Sequence, residues 1–309
     1  MSILGDRILA QRKSSSVQPA KIPAPDFDLA MTLDSGQVFH WEKLGDGFVG
    51  AIGDRPVYVE QHGDSLLIGC GSEQLVRNYF ALDHPLNEIC ASLPDDSAMN
   101  AARKFCRGLR IIRQPRWECL ATFICSSMKQ VAHIRQISHK LRQRFGERRK
   151  VNGHVIYTFP SAERIAASSE KELRKCALGY RAKNLLATAR LVARGGVDLE
   201  QLATLSDVDL RTRLCGLPGV GAKVANCVML FAYERLRAFP IDVWIERVLR
   251  ENYFPRARRL NAGRLRTLTE EYFGDHGGYA QQYLFHHARK QKIKTKRMRK
   301  SAGLSRSSA

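Results

Sequence analysis

The spacing of apolar positions changes once along this chain. From residue 27 to about 71, apolar residues come in short runs at 48–52, 56–60 and 65–68. Gly53-Asp54 and His62-Gly63-Asp64 separate them. Runs of that length between glycine and aspartate turns predict antiparallel strands. From about Glu73 the period lengthens. Ile137, Leu141 and Phe145 follow Ile134 by three, seven and eleven positions, which is one helix face. Arg135, Lys140, Arg142 and Arg144 are expected on the other sides. Further helical segments run to about Lys290. The fold class expected is α+β, a small N-terminal antiparallel sheet domain followed by a larger all-helical domain. The expected divisions are a flexible lead at 1–24, the sheet domain with flanking helices at 25–112, the helical domain at 113–288 and a basic disordered tail at 289–309.

Charge adds a partner to this outline. The 309 residues carry 50 Lys and Arg against 30 Asp and Glu, a net charge of +20. That excess points to a polyanion, most commonly nucleic acid. Eight of the twelve residues at 289–300 are Lys or Arg, a run that adds salt-sensitive, sequence-independent DNA affinity even if it is only a solvated tail. Eight cysteines stand singly, none spaced as C-x2-C, which argues against a zinc ribbon or iron–sulfur loop and fits a reducing intracellular compartment. His276, His286 and His287 have no Cys or acidic partner at ligand spacing, so no metal or other cofactor is expected and these histidines are assigned to the surface or the DNA-facing side. Asp6 and Arg7 break the first apolar stretch, unlike a signal peptide. The longest apolar segment, 224–233, is too short to span a bilayer. A soluble monomer without membrane contact is expected.

The most informative segment is Leu217-Pro218-Gly219-Val220-Gly221-Ala222-Lys223. Pro218 and Gly219 end one helix, and residues 222–233 read as a second, apolar almost all round. The first amides of that second helix, around Gly219, Val220 and Gly221, can hold a DNA phosphate. Lys223 falls in the first turn, where the helix dipole disfavours a cation. Burial and dipole together favour a neutral amine, which is a nucleophile. A lysine that merely reaches a phosphate is the alternative. Seventeen residues on, Pro240-Ile241-Asp242 opens a helix expected at 243–252. Asp242 is a good helix cap, and capping leaves one carboxylate oxygen for other work.

The lysine hairpin followed by Pro-x-Asp resembles the helix-hairpin-helix/Gly-Pro-Asp superfamily of DNA glycosylases, and within it the eukaryotic type of 8-oxoguanine DNA glycosylase. Further segments carry the resemblance: Ser35-Gly36-Gln37-Val38-Phe39-His40-Trp41, the stretch from Trp117 to Ser127, Leu178-Gly179-Tyr180-Arg181-Ala182, and the stretch from Gly278 to Phe285. It implies that Lys223 is the nucleophile and Asp242 the catalytic carboxylate of a bifunctional glycosylase and abasic-site lyase acting on double-stranded DNA. It further implies that Gly36 reads the lesion's N7–H, Gln281 reads the Watson–Crick edge, and Cys227 and Phe285 sandwich the flipped base. Tyr180 would wedge into the stack and Arg181 contact the orphaned cytosine. Geometry agrees in part, since Lys223 and Cys227, and Gln281 and Phe285, are each four residues apart on a helix. Departures are Met128 where the eukaryotic members carry asparagine, His133 where they read cytosine with arginine, and Trp244 where a histidine meets a phosphate. Met128 fills space but cannot bond a base edge. An alkylpurine-type monofunctional glycosylase and a non-catalytic hairpin DNA-binding protein are the alternatives. The first normally lacks the hairpin lysine; the second needs neither Lys223 nor Asp242. A location with the DNA is expected, in nucleoid and cytoplasm or in a nucleus according to the host.

Overall fold

The computed structural model describes residues 20–127, 129–255 and 261–304. Five antiparallel strands form the first sheet: β1 (Ala20–Pro23), β2 (Glu42–Leu44), β3 (Gly47–Ile52), β4 (Arg55–His62) and β5 (Ser65–Cys70), in the order β1-β5-β4-β3-β2. The three strands expected from the sequence are β3, β4 and β5, each longer than its apolar run. Ala20–Pro23 corrects the expected flexible lead, because these four residues pair with β5, Ile22 opposite Leu66. Ile22 is fully buried there, and Pro23 stands on an edge strand, where a missing N–H is tolerated. Ile22, Val57, Val59, Leu66 and Ile68 pack with Val76, Tyr79 and Phe80 in one apolar core.

The second part is helical as expected, with one two-stranded addition. β6 (Arg148–Val151) and β7 (His154–Tyr157) form a hairpin around Asn152-Gly153, both with positive φ. Asn-Gly at a two-residue turn is the strongest short hairpin signal. Val151 and Ile156 of this hairpin bury the other face of the first sheet against Val49 and Ala51. That explains why β3 is buried along nearly its whole length rather than on alternate residues.

The helix Val131–Phe145 buries Ile134, Ile137, Leu141 and Phe145 as expected. Arg142 departs from expectation, being buried and paired with Glu118, with its guanidinium 5.4 Å from the Phe159 ring. The last helix, Gly277–Leu304, corrects the expected disordered tail: residues 289–304 continue it. The sequence from Gly277 on offers no glycine between Gly278 and Gly303 and no proline, and is rich in Lys, Arg and Gln, all good helix formers. No helix among the described residues is long and apolar enough to cross a membrane.

Candidate active site

The site is built where four helices meet: Arg116–Ser126, Ala222–Ala232, Val243–Tyr253 and Gly277–Leu304. The hairpin before Ala222 is held from both sides. Thr188 Oγ1 donates to the Pro218 carbonyl at 3.0 Å, and the Val220 side chain is buried. Gly219 has φ +82°, and a Cβ there would sit 2.8 Å from that of Asn184, so only glycine fits. Gly221 is exposed and caps the next helix without a side-chain bond, so that helix begins with amides facing outward.

Lys223 lies one residue inside this helix and is half-buried. Its Nζ donates to Ser126 Oγ at 3.3 Å and stands 5.2 Å from the centre of the Phe123 ring. The Ser126 hydroxyl donates in turn to the Phe123 carbonyl at 2.8 Å. Its lone pairs are thus left for the lysine. Cys227, one turn on, is buried, and burial is the main cause that raises its thiol pKa. Lys223 lowers that pKa and Asp242 raises it. Both charged groups therefore lie within electrostatic reach of a single buried thiol, although 19 residues separate them.

Asp242 caps the helix Val243–Tyr253. Its Oδ1 accepts from the amides of Trp244 at 3.0 Å and Ile245 at 2.9 Å. Among the described residues nothing bonds Oδ2. Asn226, between Lys223 and Cys227, donates from Nδ2 to the Phe239 carbonyl at 3.2 Å and so ties the lysine helix to the segment leading into Asp242. The half-buried Trp244 ring carries Lys292 Nζ 4.8 Å from its centre.

The other wall comes from the first loop and the last helix. Gly36 has φ +92°, and a Cβ there would stand 3.1 Å from Phe285, 3.3 Å from Arg289 and 3.6 Å from Val131. Gly36 and Phe285 are therefore packed together across the chain. Gln281, one turn before Phe285, is buried, and its Oε1 has no protein partner. An orphaned buried acceptor costs about 1–3 kcal/mol, which a ligand's donor would recover.

The remaining expected residues divide. Tyr180 is 56% exposed. Arg181 is 5% exposed, with its guanidinium 4.3 Å from the Tyr180 ring. It donates to the carbonyls of Ser127, at 2.7 Å from Nε, and of Leu178. It therefore fastens the Tyr180 loop to the end of the helix Arg116–Ser126 rather than projecting into solvent. His133 is exposed on the first turn of the helix Val131–Phe145. Met128 lies outside the described residues. His286 corrects the surface assignment, since it is buried against Phe105 and Arg289. His276 bonds Ser92 and His287 packs on Phe105.

Ser126, Phe123, Gln282 and Arg289 were not singled out from the sequence. Arg289 continues the stripe of Gln281 and Phe285 at four-residue spacing, and that signal was available. A separate cavity of about 520 Å³ opens at the far end of the lysine helix, lined in part by Tyr79, Arg113, Tyr233 and Glu234. It contains none of the expected site residues.

Known proteins resemble this chain over most of its length. Residues 20–120 match the model of the 8-oxoguanine DNA glycosylase N-terminal domain, and residues 121–271 that of the HhH-GPD superfamily of base excision DNA repair proteins. The N-glycosylase/DNA lyase OGG1 of Arabidopsis thaliana is 30% identical over 287 residues, covering 86% of this chain and 79% of the plant protein. The structure of MBOgg1 in complex with low affinity DNA ligand is 33% identical, with a TM-score of 0.83 over 88% of this chain and 96% of that one. The Clostridium acetobutylicum 8-oxoguanine glycosylase/lyase, in complex with dsDNA containing cytosine opposite to 8-oxoG, is 28% identical with a TM-score of 0.82. It is covered over 98% of its length and this chain over 88%. The chain belongs to the OGG1-type N-glycosylase/DNA lyase family of the HhH-GPD superfamily.

Proposed function

We propose that this protein excises 8-oxoguanine from duplex DNA and then cleaves the strand at the abasic site, with Lys223 as nucleophile and Asp242 as the carboxylate that serves it. The observation that carries this reading is Lys223, half-buried one residue inside the helix after the hairpin with its Nζ on Ser126, beside Asp242 capping the next helix through Oδ1 alone. The outward-facing amides at Gly219 to Gly221 grip a phosphate beside the lesion. The exposed Tyr180 ring enters the stack as the base swings out, at a cost of a few kcal/mol. Arg181 serves by fastening the Tyr180 loop to the Ser127 carbonyl, so Tyr180 occupies the gap, and Met128, next in the chain, is assigned the same role from the sequence. With Met128 and His133 in place of base-reading groups, selectivity for the opposite base is weak.

Phe285 lies against Gly36, so the extruded purine enters by displacing that ring, then stacks between it and Cys227. The lesion's N7–H donates to the Gly36 carbonyl. Guanine has a lone pair at N7 and is repelled there, which is how a buried polar contact rejects an analogue. Gln281 meets the Watson–Crick edge. The unprotonated Lys223 amine then attacks C1′. The C1′–N9 bond breaks, and the bonding pair leaves with the base. Asp242, fixed through Oδ1, presents Oδ2 to the positive charge that grows on the sugar. Opening of the sugar ring gives an imine between Lys223 and C1′. Loss of a C2′ proton expels the 3′ phosphate, and water later releases the lysine. The protein is proposed to act as a monomer on DNA.

The test is single-turnover cleavage of duplexes with 8-oxoguanine opposite each of the four bases, with and without borohydride. Base release with a trapped protein–DNA adduct that vanishes in Lys223→Gln is the expected result. Release without trapping would indicate a monofunctional enzyme, and resistance of all four duplexes would overturn the substrate.

A further inference from the structure

The loop that carries Gly36 has a particular arrangement of carbonyls. The Asp34 carbonyl accepts from Arg289 Nη2. The Ser35 carbonyl accepts from Gln282 Nε2 at 3.0 Å. The Gln37 carbonyl accepts from Gln114 Nε2 at 2.7 Å. Among the described residues no donor reaches the Gly36 carbonyl. Three of four consecutive carbonyls are thus held by side chains from elsewhere, and the fourth is left for a ligand. Satisfied neighbours matter, because an unheld loop can rotate a peptide plane and turn an acceptor away.

We infer that Arg289 and Gln282 are positioning residues for lesion recognition, fixing the peptide planes on the N-terminal side of Gly36 so that its carbonyl meets the lesion's N7–H. The inference rests on the reading of Gly36 as the lesion-sensing group. Arg289 suits this work in three ways. It is 7% exposed, so its bonds are made away from competing water. Its guanidinium meets the last residue of the helix Leu29–Asp34, the end where a cation is favourable. It also lies 5.8 Å from the centre of the Phe285 ring, and its Nη1 would be 3.3 Å from a Gly36 Cβ, so it braces both faces of the base-reading wall. His286 Nδ1 accepts from Arg289 Nη2 at 3.1 Å and holds the guanidinium from behind. Neither residue touches Lys223 or Asp242, so the sugar chemistry should not depend on them.

That separation supplies the experiment. Excision of 8-oxoguanine needs the base-reading wall and Lys223. Strand cleavage at a preformed abasic site needs the Lys223 side of the site but not the base-reading wall. Arg289→Met is expected to slow single-turnover 8-oxoguanine release about a hundredfold while leaving abasic-site cleavage within about twofold, the loss typical of a group misplaced by an ångström. Arg289→Lys, which can still donate to Asp34, should recover part of the rate. Gln282→Met should slow release about tenfold with the same sparing of abasic-site cleavage, and answers the question if Arg289→Met does not fold. Equal losses in both reactions, or no loss in either, would overturn the positioning role. If the unsubstituted protein cleaves abasic sites but releases no 8-oxoguanine, the reading of Gly36 fails first, independently of the variants.

Discussion

Asp242 is fixed by amides two and three residues further along the chain, whereas the loop around Gly36 is fixed by Gln282 and Arg289, bonds that span 247 and 255 residues. The proposed chemical side of the site therefore depends chiefly on local structure: a helix cap, a glycine hairpin, and a lysine one turn from a cysteine. The proposed base-reading side depends on the first and last parts of the chain folding onto each other. Substitutions on the chemical side should abolish bond making in every substrate. Substitutions on the reading side should affect only reactions in which a base must be recognised.

The largest separation is expected from Lys223→Gln. It should lower both base release and abasic-site cleavage by about a thousandfold or more and remove the borohydride adduct, since the nucleophile itself is gone. A persisting adduct would place the imine on another amine. Next is Asp242→Asn. Asparagine caps a helix about as well as aspartate, so stability should hold while release falls about a hundredfold for want of the negative charge. Asp242→Ala should lose the same activity and in addition about 1 kcal/mol of stability. If both variants retain activity and Ala alone loses stability, Asp242 is only a cap.

Gly36→Ala attacks the other side. Its Cβ would need room where Phe285 stands at 3.1 Å, at a φ of +92° that alanine rarely adopts. Release should fall about tenfold to a hundredfold with abasic-site cleavage retained. Gln281→Met is a smaller change with opposite effects on stability and activity. It removes a buried Oε1 that has no protein partner, so the fold should gain about 1 kcal/mol while release slows about tenfold. Thermal unfolding and single-turnover release on one preparation would show whether the two effects separate.

The sequence made the local half legible. The hairpin glycines, the first-turn lysine and the capping aspartate are each recognisable from neighbours within a few residues, and the structure keeps them in those local positions. The strands β3 to β5 were legible for the same reason, as short runs between turns. What depended on distant parts was not. Arg142 looks like a surface arginine until Glu118 comes to meet it. Ala20–Pro23 looks like a lead because its partner strand lies some forty residues away. Arg289 looks like the start of a basic tail because its acceptor, the Asp34 carbonyl, belongs to the opposite end of the chain. The hairpin of β6 and β7 is a different kind of omission, since Asn152-Gly153 was a local signal that the surrounding helical pattern obscured.

His286 gives the finest test of how the reading wall is held. An arginine only donates, so the contact at 3.1 Å requires an unprotonated Nδ1 on His286. Burial chiefly, then the charge of Arg289, pushes its pKa down to about 4, while Asp34 pulls the other way and Lys290 and His287 add small downward contributions. The folded state thus resists a proton that the unfolded chain accepts near pH 6.5. The stabilisation is fully present above 6.5, diminishes as the pH falls, and is exhausted below about 4. Between pH 7 and 5.5 this one group should remove about 1 kcal/mol, roughly 2 °C in Tm for a chain of this length. His286→Gln cannot take up a proton and should flatten that part of the profile. If the wall is held as described, 8-oxoguanine release by the folded native protein should decline more steeply than abasic-site cleavage only as the pH nears about 4, where His286 takes up its proton in the folded state. In His286→Gln the two reactions should decline together. Parallel declines in both proteins would mean that the histidine supports the fold without reaching the loop around Gly36.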